Sequence, residues 1–479
     1  KAGMVDLFGG IESGTDLYAE SPTQALSVTG GTITASKANT ISATTTGVTT
    51  AEITNTQRLT DLVGLNFTGS GGATANAYTI TIADADAVVG DAANLNTIDA
   101  RTSVAVDASA VTQLTGTASA LNTLYGAATS GTVTGLDASE TTILSDTTLS
   151  AATLHTLKNT MDTLADAASA TVAAINAASV NTLSGTAIDI LAVYSAGPSG
   201  SNHITGLGDE AVTIDESADP GGDSAVSVAD ANLIDSYTSG AITATILEND
   251  STTLSTLNSD TANTNPYTIT VTGTADAGDL VTLETKTSLE ITMTGLTTVS
   301  GTLGEVEALF TLHDDDKVNL GASPSVNLTL TDTNVAASQA NTISAQTSGI
   351  VTATIYEGVY TNLTDLTNTG TGNENVYAIT LSEQIDVTKA NTLQTKTNGV
   401  ITATISDTTI STLKNLSVDE FSKIDDNVNI MFLQGGIITE YGINVAGAGD
   451  VVSSTVIKEL ITVFKGVKED TIVMIMEQS

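Results

Sequence analysis

The sequence contains an internal repeat with a period of about 50 residues. Its clearest copies begin at Ala38, Ala340 and Ala390, where Ala-Asn-Thr is followed by Ile or Leu, a polar turn with glycine, and a threonine-rich segment. A fixed period of this size is typical of chains that stack many similar segments, because each segment is too small to bury a core alone. The repeat therefore constrains the fold more strongly than any other feature of the chain.

Each copy of the repeat predicts a short corner followed by a strand. Ile401, Ala403 and Ile405 alternate with threonines, and successive side chains of a strand point to opposite faces. Leucines three positions apart, such as Leu59 and Leu62, predict a second apolar corner within the same period. Two rungs, each made of a corner and a strand, then account for the full period.

These patterns predict a mainly β fold, namely a parallel β-solenoid with short helical corners and a double-rung repeat of about 50 residues. Parallel pairing of successive rungs is favoured because the chain has few Asn-Gly or Asp-Gly dipeptides, which close two-residue hairpins. A small C-terminal α+β module is expected to follow the solenoid, because the threonine-rich pattern stops after residue 416.

Composition divides the chain into five parts. Alanine becomes frequent after residue 139, and Gly, Pro, Ser and Asp crowd residues 195–225. The predicted parts are an N-terminal cap or linker (1–35), a first solenoid block that is more helical after 139 (36–194), a hinge loop (195–225), a second solenoid block (226–416) and a C-terminal cap or assembly module (417–479).

The chain carries 54 acidic and 14 basic residues, which gives a formal net charge of −40. This charge argues against nucleic acid as a partner, because phosphates are bound by clustered Lys and Arg. No apolar run approaches the roughly 18 residues of a membrane span, so none is expected. Cysteine is absent, which excludes disulfides and thiolate metal sites. The acidic, Thr/Ser/Ala-rich composition predicts an extracellular or cell-surface location in a bacterium.

Two acidic clusters are candidates for calcium binding, because calcium takes six to eight oxygen ligands. The candidate ligands are Asp84, Asp86, Asp91, Asp314, Asp315 and Asp316. No EF-hand loop is present, and a solvated acidic surface is the alternative interpretation. Calcium is therefore the one cofactor considered.

The sequence predicts no catalytic residues and no cofactor-binding residues. The three histidines, His155, His203 and His313, do not have the spacing of a metal site, and no Gly-x-Ser-x-Gly or Walker motif occurs. We therefore expect a protein that is not an enzyme.

Thr-x-Thr pairs recur in the predicted strands and are expected to form ladders on the outer face of the sheet. The pairs are Thr79/Thr81, Thr243/Thr245, Thr268/Thr270, Thr352/Thr354 and Thr402/Thr404. Threonine suits any wet strand face, since β-branched side chains favour strands. A more specific alternative is that the threonines form an ice-binding or sugar-binding surface.

Two apolar segments near the C-terminus predict contacts between subunits. Residues 454–465 have the apolar spacing of an amphipathic helix, and residues 471–476 form an uncharged run typical of a strand. The expected assembly residues are Val456, Ile457, Leu460, Ile461, Phe464, Ile472, Val473, Met474, Ile475 and Met476.

The pattern Ala-Asn-Thr-Ile/Leu, Thr-x-Gly, Val/Ile-x-Thr-Ala-Thr-Ile, at Ala340 and Ala390 and in a looser copy at Ala38, resembles repeats of very large extracellular proteins of cyanobacteria and other aquatic bacteria. The resemblance covers residues 36–416 and implies a surface, adhesion or filament component.

Together, these features predict a secreted structural protein whose β-solenoid rod self-assembles into an extracellular filament or surface layer. The expected partner is a second copy of the chain. The alternatives are an adhesin or phage-type fibre with a receptor-binding tip, for which glycans are the partner, and an ice-binding surface.

Overall fold

The computed structural model describes residues 23–83, 89–195, 204–218, 224–258, 265–368 and 375–407, together with residues 412, 415 and 430–432. The chain forms two compact units, Lys1–Thr245 and Ile246–Ser479, which we call the N-terminal unit and the C-terminal unit.

The N-terminal unit alternates helices with short strands. Its helices are α1 (Ala35–Ser42), α2 (Leu59–Leu62), α3 (Ala92–Asp99), α4 (Ala118–Ser130), α5 (Ala151–Ala168), α6 (Ala187–Ser195) and α7 (Val228–Asp235), with a 3₁₀ turn at Glu216–Ala218. Its strands are β1 (Leu26–Ser27), β2 (Thr49–Glu52), β3 (Ala77–Thr79), β4 (Val89–Asp91), β5 (Val106–Asp107), β6 (Gln113–Gly116), β7 (Val133–Thr134), β8 (Thr141–Leu144), β9 (Thr148–Ser150), β10 (Ile175–Asn176), β11 (Thr182–Gly185), β12 (Ile204–Thr205), β13 (Ala211–Ile214) and β14 (Ile242–Thr245).

The strands of this unit pair in parallel in several small sheets. The strand orders are β1-β2-β3, β12-β10-β8-β6-β4, β14-β13-β11-β9 and β5-β7. From β8 onward, each repeat gives one strand to each of two sheets and then a helix: β8, β9 and α5; β10, β11 and α6; β12, β13 and α7. The range predicted as a hinge loop, 195–225, thus includes β12 and β13 in its described residues.

The C-terminal unit follows the same alternation. Its helices are α8 (Ser251–Leu254), α9 (Ala277–Glu284), α10 (Leu303–Asp314), α11 (Ala337–Ser344), α12 (Tyr360–Leu363) and α13 (Val387–Gln394). Its strands are β15 (Tyr267–Thr268), β16 (Thr270–Asp276), β17 (Ile291–Gly301), β18 (Val318–Asn319), β19 (Asn327–Leu330), β20 (Val351–Ile355), β21 (Val376–Ile385), β22 (Ile401–Ile405) and β23 (Ile430–Phe432). One parallel sheet has the order β16-β17-β19-β20-β21-β22-β23, and β18 pairs with β17.

The apolar residues that define the sequence pattern are buried in the core. Leu59 and Leu62 lie on α2 and are buried, as are the leucine pairs of α4 and α9. In β20, Val351, Ala353 and Ile355 are buried while the threonines between them are half-buried or exposed. The predicted alternation of this strand and the predicted parallel pairing are therefore confirmed.

The mainly β solenoid is wrong, because the described residues contain 13 helices and are 32% helical and 27% strand. The protein has an α/β pattern with several separate parallel sheets. The Ala-Asn-Thr segments, predicted as corners, belong to the eight-residue helices α1, α11 and α13. Nothing in the described part of the chain supports an extracellular location or a filament.

Sequence analysis predicted the Ala-Asn-Thr segments as short corners rather than as eight-residue helices, because Thr, Ser and Asn have weak helix propensity. A local hydrogen bond offsets part of this weakness. The Thr34 hydroxyl accepts from the Lys37 amide at 3.3 Å and caps α1. Ala38 of the same helix is fully buried, so packing adds to the stability that propensity lacks.

The Thr-x-Gly turn that precedes many strands forms hydrogen bonds to the preceding repeat. The buried Thr347 hydroxyl donates to the Val326 carbonyl at 2.8 Å and accepts from the Gly349 amide at 2.9 Å. A Cβ added at Gly349 would overlap the Val326 carbonyl oxygen, so this position admits no side chain. Gly47, Gly240 and Gly399 meet the backbone of the preceding repeat in the same way.

We therefore expect Gly349→Ala to lower the free energy of unfolding by about 2 kcal/mol, since the new methyl group must displace backbone. Gly304→Ala is the matched control: Gly304 lies on α10 and an added Cβ meets nothing within 4 Å. This control should gain about 0.5–1 kcal/mol from helix propensity. Urea unfolding of both variants measures the difference, and equal effects would contradict the close approach at Gly349.

Candidate functional site

The asparagine of Ala-Asn-Thr joins its helix to the following repeat. Asn341 donates from Nδ2 to the Asp365 carbonyl at 2.8 Å and accepts at Oδ1 from the Thr367 amide at 2.8 Å. Asn39 makes the same two bonds to the next corner, each 2.7 Å long. Asn391 donates to the Asn415 carbonyl at 2.7 Å. The amide side chain suits this place because it donates and accepts at once.

In a second set of hydrogen bonds, the first backbone amide of a helix donates to an acceptor side chain in the following repeat. The pairs, acceptor first, are Gln57 with Ala35 (3.1 Å), Asp146 with Ala118 (2.7 Å), Glu216 with Ala187 (2.7 Å), Asp332 with Leu303 (2.6 Å), Glu357 with Ala337 (3.0 Å), Glu383 with Tyr360 (2.6 Å) and Asp407 with Val387 (2.7 Å). We call these contacts the cross-repeat caps. Six of the seven acceptors are carboxylates, which accounts for part of the acidic excess.

Helix geometry explains why acids occupy these positions. The first amides of a helix have no partner within the helix, and the helix dipole favours negative charge at that end. Many helices also carry an acidic group of their own there. The amides of Thr302 and Thr253 donate to Glu305 and Asp250, respectively, and these bonds lower the pKa of both carboxyls. The cross-repeat caps thus join repeats, whereas Glu305 and Asp250 cap their own helices.

Buried tyrosines are held by asparagine in some repeats. Asn375 donates from Nδ2 to the Tyr377 hydroxyl at 2.9 Å and to the Ser344 hydroxyl at 2.8 Å, and its Oδ1 accepts from the Val351 amide at 3.0 Å. Asn76 makes the corresponding bonds to Tyr78 and Ser42. Both asparagines and both tyrosines are fully buried. The signal in the sequence is Asn-x-Tyr, which sequence analysis did not use.

Two other buried tyrosines are paired with glutamate. Glu210, which is 1% exposed, accepts from the Tyr194 hydroxyl and from the Gly208 amide at 2.6 Å. Tyr194 in turn stacks on Tyr237, with ring centroids 5.1 Å apart. Glu140, which is 4% exposed, accepts from the Asp137 amide at 3.1 Å, but the Tyr125 hydroxyl lies 3.5 Å away.

The two glutamates differ in how well their charge is compensated. The Tyr125 hydroxyl lies 2.8 Å from the Thr142 hydroxyl, closer than it lies to Glu140. Burial raises the pKa of Glu140, and the nearby Asp137 carboxylate adds to the effect. Burial also raises the pKa of the Tyr125 phenol. Glu140 is therefore a buried acid whose charged form is disfavoured by burial in spite of its backbone hydrogen bonds, an environment that the sequence did not signal.

The structure describes four of the six candidate calcium ligands. Asp91 accepts from the Asn94 amide at 2.8 Å and caps α3. Asp314, Asp315 and Asp316 are exposed at the end of α10, and Asp84 and Asp86 lie outside the described residues. Across the ranges that the structure describes, no three His, Asp or Glu side chains are placed to hold a metal ion. Calcium binding stays a prediction.

The Thr-x-Thr pairs of the strands are half-buried or exposed, as predicted, but their ladders are short. Thr402 pairs with Thr380, whereas Thr354 pairs with Ala378 and Thr79 with Glu52. The ten assembly residues between Val456 and Met476 lie outside the described residues. Among the helices described, none has both the length and the apolar character to cross a bilayer.

Comparisons of the chain with protein-family models, with curated proteins and with solved structures find no match. The resemblance to bacterial surface repeats therefore stays a prediction.

Removing the acceptor of a cross-repeat cap should measurably lower the free energy of unfolding. Asp332→Ala leaves the Leu303 amide without its acceptor and should lower the free energy of unfolding by about 1 kcal/mol. Asp332→Asn keeps a carbonyl oxygen in place and should retain most of that stability. Asp314→Ala is the control, because removing an exposed charge from the C-terminal end of α10 should cost nothing. Chemical denaturation of the three variants checks the order.

Glu140 predicts a specific pH dependence. Because its pKa is raised in the folded state, its contribution to stability is fully present below the ordinary glutamate pKa and is lost as pH rises through the raised value. Glu140→Gln removes this loss, so the stability of the variant relative to the wild type should increase as pH rises from 4 to about 8. Melting temperatures across that range measure the gain, and the exposed Glu307→Gln should leave the wild-type profile unchanged.

Proposed function

We propose that this chain is a structural protein that associates with copies of itself and does no catalysis. One observation carries the proposal: the residues that define the repeat are the residues that bond each repeat to its neighbour. Asn341 bridges to the next corner, Thr347 and Gly349 hold the preceding strand, and Glu357 caps the preceding helix. The recurring polar groups of the chain thus serve the scaffold.

A repeated scaffold also presents the same outward surface several times. Threonine side chains occupy the outward positions of β20 and β22, which are paired to β21 in one sheet. When a surface is repeated, contacts that are individually weak add up, because the second contact forms within an existing complex. Self-association is therefore the function that a repeat of this kind supports best.

The net charge sets the conditions under which association should be observed. At −40, two copies repel each other strongly at low ionic strength, and the repulsion is screened over about 8 Å at 0.15 M salt. Association should therefore strengthen as salt is added, which is the opposite of a complex held by opposite charges.

Sedimentation velocity on the purified chain tests the proposal, with protein concentration and NaCl varied independently. We expect monomers at low salt and larger species at high salt that grow with protein concentration. A chain that sediments as a monomer at every salt and protein concentration contradicts the proposed function.

A further inference from the structure

The turn before β22 contains Asn398-Gly399, the one Asn-Gly dipeptide of the chain. The corresponding turns before β14 and β20 carry Ser239-Gly240 and Ser348-Gly349. In all three turns the amide before glycine donates to a backbone carbonyl of the preceding repeat, and the Asn398 amide reaches the Asn375 carbonyl at 2.8 Å. The Asn398 side chain is exposed. Asn398 thus takes the place of a serine in an otherwise repeated turn.

An asparagine followed by glycine can react within its own backbone. The backbone nitrogen of the glycine gives up its proton to base and attacks the side-chain carbonyl carbon of the asparagine. A C–N bond forms, the side-chain nitrogen takes up a proton and leaves as ammonia, and a succinimide ring results. Water then opens the ring at either carbonyl, which gives aspartate or isoaspartate. Glycine favours this attack, because it has no Cβ beside the nucleophile and its backbone is unrestricted.

The fold holds the nucleophile of this reaction in place. The Gly399 amide donates to the Thr397 hydroxyl oxygen at 2.8 Å, and the same oxygen accepts from the Tyr377 amide at 2.6 Å. Thr397 is 4% exposed, and Gly399 is buried. Loss of the amide proton in this place would break a hydrogen bond and leave a buried charge. The Gly399 amide is therefore unreactive until the turn opens.

The close approach of this turn to β21 decides what the reaction does to the fold. A Cβ added at Gly399 would overlap the Tyr377 carbonyl oxygen, so the backbone here has no room to shift. Isoaspartate inserts a methylene group into the main chain directly before Gly399. The Gly399 amide then loses its position beside the Thr397 hydroxyl. The turn cannot close again as it was before.

We propose that Asn398-Gly399 is a deamidation site that the folded turn shields and that reacts when the turn separates from β21. The site records the opening of this repeat as a covalent change, because isoaspartate prevents the original turn from forming again. This modification does not depend on self-association of the chain.

The first test compares the folded and the unfolded wild type. Both samples are held in the same mildly alkaline buffer, one of them with a denaturing concentration of guanidinium chloride, and peptide mass spectrometry follows the product at position 398. We expect the folded chain to react at least about tenfold more slowly, because only its open fraction reacts. Equal rates would overturn the shielding, and no product in the unfolded chain would overturn the site.

The second test removes the acceptor that holds the Gly399 amide. Thr397→Val lacks the hydroxyl, whereas Thr397→Ser keeps it and is the matched control. Folded Thr397→Val should deamidate about tenfold faster than folded Thr397→Ser, which is the effect of losing one buried hydrogen bond. Circular dichroism confirms that both variants are folded. Equal rates in the two folded variants would overturn the part assigned to the hydroxyl, and the wild-type comparison tests the shielding if Thr397→Val does not fold.

The third test measures the effect of the product on the fold. The wild type, Asn398→Ser and Asn398→Asp are held unfolded for the same time, refolded and then titrated with urea. The treated wild type should unfold at a lower urea concentration than its untreated sample, whereas treatment should leave both variants unchanged. Asn398→Asp separates the added charge of aspartate from the altered main chain of isoaspartate. A treated wild type that contains isoaspartate and keeps its original midpoint would overturn the proposed effect on the turn.

Discussion

The structure depends on hydrogen bonds that begin in one repeat and end in the next. A single repeat offers a helix of 4 to 18 residues and strands of 2 to 11 residues, too little to fold alone. Each helix start leaves amides that the helix cannot satisfy, and in the cross-repeat caps the following repeat supplies an acceptor, as Asp332 does for Leu303. Asn341 and Thr347 make the corresponding connections at the other corners. Stability is thereby shared between neighbours, as in other stacked repeats.

The core of this protein contains buried polar side chains, and many of them are paired. Asn375 satisfies a tyrosine, a serine and a backbone amide from one fully buried position. Such a network fixes the register of adjacent repeats, because an unpaired buried amide costs about 1–3 kcal/mol. Glu140 is less well compensated, since it is buried and the Tyr125 hydroxyl lies closer to Thr142 than to its carboxylate. The same core therefore contains both well-compensated and poorly compensated polar groups.

Sequence analysis predicted the features that depend on apolar spacing. The alternation of β20, the burial of Leu59 and Leu62, and the parallel pairing of strands follow from periodicity and from the lack of hairpin turns. The extent of α11 could not be predicted in the same way, because Ala-Ser-Gln-Ala-Asn-Thr-Ile-Ser has little intrinsic helix propensity, and this helix is supported by burial and by Glu357. The acidic residues were ambiguous for a related reason. From the sequence alone, a carboxylate that caps a distant helix cannot be distinguished from a carboxylate that binds calcium.

The cross-repeat caps restrict how a chain of this kind can change in length. Glu357 caps α11 and Glu383 caps α12, so each helix with a cross-repeat cap takes an acceptor from the segment that comes after it. Removing part of a repeat would leave one amide without its acceptor and one carboxylate without its donor. Removing a complete repeat would leave the neighbouring repeats with equivalent partners. Insertions and deletions in such a sequence should therefore survive only as whole multiples of the repeating segment, which makes duplication the natural way for it to grow.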